Sequence, residues 1–190
     1  GVAGVIDFDN WCGPSGKYYE IGKELLTLEV NSCIEGLFEG GVEEIIVLDG
    51  HGPGGINIKL LDPRVKLQRG WPREFEDFFV DKSFDAVCWV GQHAKAGTEY
   101  AHLPHTQNCS YIDLSVNGIS IGEFGQAVMC ASELGIRAIF ASGDYALTIE
   151  AKNLVPGIET VAVKWGLTPG KGDECTYEEY RKRNTAAIHL

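Results

Sequence analysis

The glycines of this chain gather at the ends of short apolar runs, and that placement constrains the fold more than any other feature. They form Gly-Pro-Ser-Gly at 13–16, Asp-Gly-His-Gly-Pro-Gly-Gly at 49–55 and Pro-Gly-Lys-Gly at 169–172. Between such clusters, β-rich runs alternate with stretches of helical periodicity, which is the pattern of an α/β protein. Strands are expected at 2–8, 44–48, 84–90 and 138–141. The last three are continuous apolar runs of the kind buried on both faces of a parallel sheet. Apolar residues at Ile21, Leu25, Leu28, Ile34, Leu37 and Phe38 predict a long helix over 17–39, closed by Gly40-Gly41. Further helices are expected at 123–134, 145–154 and 177–188. Asn117-Gly118 predicts a type I′ hairpin between 111–116 and 119–121. The expected architecture is a three-layer α/β sandwich with a mostly parallel central sheet, helices on both faces and one β-hairpin insertion. No repeat or linker-like stretch interrupts the 190 residues, so a single domain over 1–190 is expected.

Charge and composition narrow the partners. Sixteen Lys and Arg stand against 27 Asp and Glu, a net charge of −11. Without Lys/Arg clusters, no nucleic-acid partner is expected. No apolar run approaches the roughly 18 residues that cross a bilayer, so no membrane partner is expected either. The six cysteines form no Cys-x-x-Cys pair, which excludes a zinc-finger frame and reads as thiols of a reducing, cytoplasmic compartment. The only methionine is Met129, so Gly1 is expected not to be a natural start.

In an open parallel sheet, ligands bind beyond the carboxyl ends of the strands. Just past the expected ends stand Asp7 and Asp9, then Asp49 and His51, then Gln92 and His93, and finally Gly143 and Asp144. Each acid alone reads as a turn or helix-cap residue. Together, Asp and His at corresponding strand ends fit a metal site of mixed oxygen and nitrogen ligands. In an extended strand, Asp7 and Asp9 share a face. Two carboxylates so placed repel unless a cation lies between them, and a carboxylate bridging two divalent ions resolves the conflict. Glycines at 50, 52, 54 and 55 give the His51 segment room for a ligand. The Walker phosphate-loop pattern is absent.

These motifs stand in a familiar order. Asp7-Phe8-Asp9, Asp49-Gly50-His51, the run Gly91-Gln92-His93-Ala94-Lys95-Ala96-Gly97-Thr98, and Gly122-Glu123-Phe124-Gly125 resemble the DppA-type D-aminopeptidases, a zinc metallopeptidase family. Tyr19-Glu20-Ile21-Gly22 and Ala141-Ser142-Gly143-Asp144 extend the resemblance, which runs from Gly4 to about Lys164. Beyond it, the family's C-terminal portion is largely missing. The resemblance implies a binuclear zinc site, with other transition metals as substitutes, in which Asp7 bridges and Asp9, His51, His93 and Glu123 complete the ligand shells. Asp9 stands where the family has Glu, which sets that carboxylate one methylene back.

The family also places a catalytic His in the segment holding His102 and His105. His105-Thr106 matches the family context better, which makes His105 the catalytic candidate, as general acid or nucleophile. His102, Lys95 and Trp11 are candidate substrate-binding residues, with Lys95 suited to an anionic group. The Gly-His-Gly loop also resembles that of creatininase-type amidohydrolases, although their early Glu-x-His signature is missing. The expected activity is metal-dependent hydrolysis of an amide-like C–N bond in a small molecule or short peptide, by a homo-oligomer. The alternatives are cleavage of a cyclic amide or N-glycosidic bond, or a non-catalytic metal-binding module.

Overall fold

The computed structural model describes residues 1–70, 81–168 and 187–189. It is a mixed α/β protein whose chain divides into two compact units, Asp9–Phe79 and Gly1–Phe8 with Val80–Leu190. Helix α1 is a single turn, Phe8–Trp11. The expected strand at 2–8 is therefore absent. Asp7 precedes this turn in irregular chain and Asp9 lies within it, so the pair does not stand on an extended strand. The backbone of this segment is held by side chains in place of a strand ladder. Lys164, fully buried, donates from Nζ to the Val5 carbonyl at 3.1 Å. His102 Nε2 lies 2.8 Å from the Ile6 carbonyl.

In the unit Asp9–Phe79, helix α2 covers Tyr19–Glu39. Its buried face is Tyr19, Gly22, Thr27, Val30 and Ile34, whereas Ile21 and Leu28 are exposed. The apolar stripe is thus rotated from the expected one, because polar residues of α2 fasten a loop. Thr27 Oγ1 accepts the Asn57 N–H at 2.9 Å, and Asn31 both donates to the Leu60 carbonyl and accepts the Asp62 N–H. Strands β1 (Ile46–Asp49) and β2 (Lys66–Arg69) pair in parallel, with Asp49 opposite Arg69. The polar Lys-Leu-Gln-Arg sequence of β2 hid that strand from hydropathy.

The other unit is built on a four-stranded sheet in the order β3-β6-β7-β8. Strand β3 is Ala86–Gln92. A hairpin, β4 (Ser115–Val116) with β5 (Ile119–Ser120), follows. Asn117 (φ 53°) and Gly118 (φ 80°) both adopt the left-handed conformation that a type I′ turn demands. Next come α3 (Glu123–Glu133), β6 (Arg137–Asp144), α4 (Tyr145–Leu154), β7 (Glu159–Gly166) and β8 (Ala187–His189). β3, β6 and β7 run parallel and β8 antiparallel, giving the expected mostly parallel sheet. The helix expected over 177–188 lies mostly outside the described residues, and its end, from Ala187, is strand β8. Strand β7 was missed because exposed Val161 and Trp165 alternate with Ala162 and the buried Lys164, leaving no continuous apolar run.

Helices α3 and α4 share one core with the sheet, through Phe124, Leu147, Ala151, Ala141 and Ile158. Phe124 meets Trp89 edge-on at 4.8 Å between ring centroids. Such pairs add about 0.5–1.5 kcal/mol beyond area burial, and Trp89 packs partly buried against this core.

Candidate metal centre

Three segments of the sheet unit bring ligands to one point. His93 follows directly on β3, Glu123 is the first residue of α3, and His105 lies on the loop between β3 and β4. One ligand atom from each of the three falls within 4.8 Å of the others. His93 Nε2 sits 3.1 Å from Glu123 Oε2, and the His93 and His105 rings stack at 3.7 Å.

Backbone carbonyls aim both imidazoles. His93 Nδ1 lies 3.0 Å from the Ala94 carbonyl, and His105 Nδ1 lies 2.9 Å from the Leu103 carbonyl. A nitrogen that donates to a carbonyl fixes the tautomer and leaves Nε2 as the ligating atom, the usual arrangement behind metal-bound histidine. The Gln107 N–H donates to the second Glu123 oxygen.

The loop carrying His105 is strained. Tyr100, Leu103 and Gln107 are non-glycine residues with φ of 53°, 55° and 62°, each costing roughly 1–2 kcal/mol relative to ordinary backbone. Side-chain anchors over-determine the shape. The Ala96 N–H donates to Thr106 Oγ1 at 3.1 Å, and the His102 N–H donates to Asp144 Oδ2 at 2.9 Å.

The electrostatics suit a cation. Burial, with help from the charge of His93, pushes the His105 imidazole down to about 4. Burial alone would raise the Glu123 carboxyl, but the hydrogen bond from His93 and the charges of both histidines outweigh it and hold it at about 2. An ionised carboxylate and a neutral imidazole are the forms that ligate metal. Two nitrogens and one carboxylate oxygen match the three-protein-ligand pattern of catalytic zinc, which keeps a position open.

The remaining candidates are distributed over both units. Asp7 is half-buried in the sheet unit, while Asp9 and His51 belong to the other unit and are exposed. His51 Nε2 lies 2.7 Å from the Cys12 carbonyl. Trp11 packs on Tyr18, with ring centroids 5.0 Å apart. Asp49 accepts the Gly55 and Ile56 N–H groups and Arg69 Nε, which makes it a turn residue. His102 is fully buried on the Ile6 carbonyl and has no surface to offer a substrate. Lys95 Nζ donates to Ser120 Oγ on the hairpin at 2.8 Å. The part missed from sequence was His105 as a donor beside His93, since spacing carries no sign that two rings stack.

An α/β scaffold that converges two imidazoles and a carboxylate beyond the end of a parallel strand defines a candidate zinc-type metallohydrolase centre. The chain belongs to the D-aminopeptidase family, whose sequence profile matches residues 1–189. That match reaches well beyond Lys164, where the motifs gave out. The chain is similar to a D-aminopeptidase of Bacillus subtilis strain 168, at 28% identity over 166 residues. The alignment covers 86% of this chain, which spans only 60% of that relative's length. A solved structure described as the Zn-dependent D-aminopeptidase DppA from Bacillus subtilis, a self-compartmentalizing protease, aligns over 97% of this chain and 68% of its own, with a TM-score of 0.80 and 25% identity.

Proposed function

We propose that this protein is a zinc-dependent aminopeptidase that hydrolyses short peptides or small amides with a D-configured amino-terminal residue. The observation that carries the reading is the convergence of His93, His105 and Glu123 within 4.8 Å. Family membership and a zinc-dependent structural relative support it. A divalent ion held there supplies Lewis acidity and a water ionised near neutral pH. Glu123 contributes a full negative charge to the ion, and His93 contributes Nε2. His105, neutral and tied to Leu103 through Nδ1, would either give Nε2 to the ion or use it to take a proton from the attacking water and pass it to the leaving amine.

A second ion, with Asp7 bridging and Asp9 and His51 as further ligands, is proposed on the family pattern alone. Lys95 and Trp11 are proposed as substrate contacts on the same ground, and assembly into a homo-oligomer on the description of the structural relative. Among the described residues, no helix is long and apolar enough to cross a membrane.

The test is elemental analysis of the purified protein together with turnover of D- and L-aminoacyl amides and dipeptides. The reading expects one or two zinc ions per chain, loss of activity on chelation, recovery with zinc, and preference for D substrates. Full activity in verified metal-free protein would sink it. Preference for cyclic amides or N-glycosides would transfer the site to another hydrolase class.

A further inference from the structure

We propose that Glu150, a buried carboxylate on α4, is a positioning residue that holds His93 and Glu123 at the separation a shared cation requires. This rests on the metal-centre reading above. His93 and Glu123 come from segments with no secondary structure in common, one just after β3 and the other opening α3. The backbone beside them, at Lys95 and Gly122, belongs to no strand ladder, so its N–H groups need acceptors from elsewhere.

Glu150 supplies the acceptor at Lys95. Its Oε2 accepts the Lys95 N–H at 2.8 Å. Its other oxygen, Oε1, is buried without a hydrogen-bond partner and borders Gly122, where an added Cβ would stand 3.3 Å away. One side chain thereby anchors the backbone two residues after His93 and packs against the backbone one residue before Glu123.

The closeness of the two segments is the second observation. A Cβ on Gly122 would come within 2.7 Å of Lys95 Cβ and 2.9 Å of Lys95 Cα. Only glycine lets the strands of irregular chain approach so nearly. Glu150 itself is 8% exposed and shares its helix with the fully buried Leu147 and Ala151. A carboxylate in that place is costly unless its oxygens are hydrogen-bonded, and burial accordingly pushes its carboxyl upward. An apolar side chain would satisfy packing, so what the acid contributes is an acceptor that fixes the Lys95 amide where Gly122 packs against it. Outer partners that orient ligands typically change metal affinity by about 10–100-fold when removed.

The experiment measures zinc affinity by competition with a chromophoric chelator, and the visible spectrum of the cobalt-substituted protein, with folding checked by circular dichroism. Glu150→Leu is expected to weaken zinc about 10–100-fold and to alter the cobalt spectrum. Glu150→Gln keeps one acceptor for the Lys95 N–H and is expected to lose about three- to tenfold, a partial rescue. Gly122→Ala forces the segments apart with Glu150 intact and is expected to reproduce the Glu150→Leu result. Affinity within about twofold of wild type and an unchanged spectrum in folded Glu150→Leu and Gly122→Ala would overturn the assignment. If Glu150→Leu does not fold, the same outcome in Glu150→Gln and Gly122→Ala decides it. Wild-type protein whose zinc binding survives His93→Ala would overturn the metal reading itself, and this inference with it.

Discussion

The segment around Asp49 and His51 and the segment around His93 read alike in sequence, yet the structure uses them differently. In both, an apolar run ends in a polar residue followed by histidine. At Asp49 the carboxylate is 3% exposed and spends its oxygens on Gly55, Ile56 and Arg69, while His51 stays exposed beside the Cys12 carbonyl. At His93 the imidazole is anchored through Nδ1 and meets Glu123 and His105. What separates a loop brace from a candidate ligand is where the hydrogen bonds go: an acid filled by its own turn has nothing left for a cation.

The contrast can be broken at several points. The largest effect is expected for His93→Ala, which should lower zinc affinity at least about 100-fold, read by chelator competition. Retained affinity would show that the three-donor cluster is not the metal site. Asp49→Ala should leave two amides and the half-exposed Arg69 without their acceptor, costing about 2–3 kcal/mol in urea unfolding of metal-free protein. A loss below about 1 kcal/mol would mean that the glycine loop does not depend on that carboxylate.

The pH response follows. In metal-free protein His105 has a folded pKa near 4, below its ordinary 6.5. A depressed histidine leaves the unfolded chain binding more protons between those values, so stability is full above pH 6.5 and falls as pH drops toward 4. The loss is bounded at about 3.4 kcal/mol, about 2.5 pH units at about 1.36 kcal/mol each, and should vanish in His105→Gln. A wild-type profile flat from 7 to 4 would contradict the burial of that ring. The smallest effect is expected for His51→Ala, within about 0.5 kcal/mol in metal-free protein, since its ring is exposed. A larger loss would give His51 a structural part equal to that of Asp49.

Much of this was legible in sequence, for identifiable reasons. The helix over Tyr19–Glu39, the strands at Ala86–Gln92 and Arg137–Asp144, and the Asn117-Gly118 turn all follow from local patterns that burial then enforces. The family motifs singled out His93 and Glu123, and His105 nearby. The failures came where a distant side chain overrode a local preference. The β-rich run at 2–8 forms no strand, because Lys164 and His102 take carbonyls that a neighbouring strand would otherwise bind. Glu150 looked like any acid on a helix, since nothing local announces that Lys95 and Gly122 meet there.

Leu103 illustrates a wider consequence. Its contribution to His105 is a carbonyl, not a side chain, delivered by an unusual backbone turn. Natural variation at that position can therefore exchange one residue unbranched at Cβ for another and leave the imidazole's aim untouched, whereas proline or a one-residue deletion would swing it away. The outer surface of the loop is free to evolve while the chemistry behind it keeps its heading.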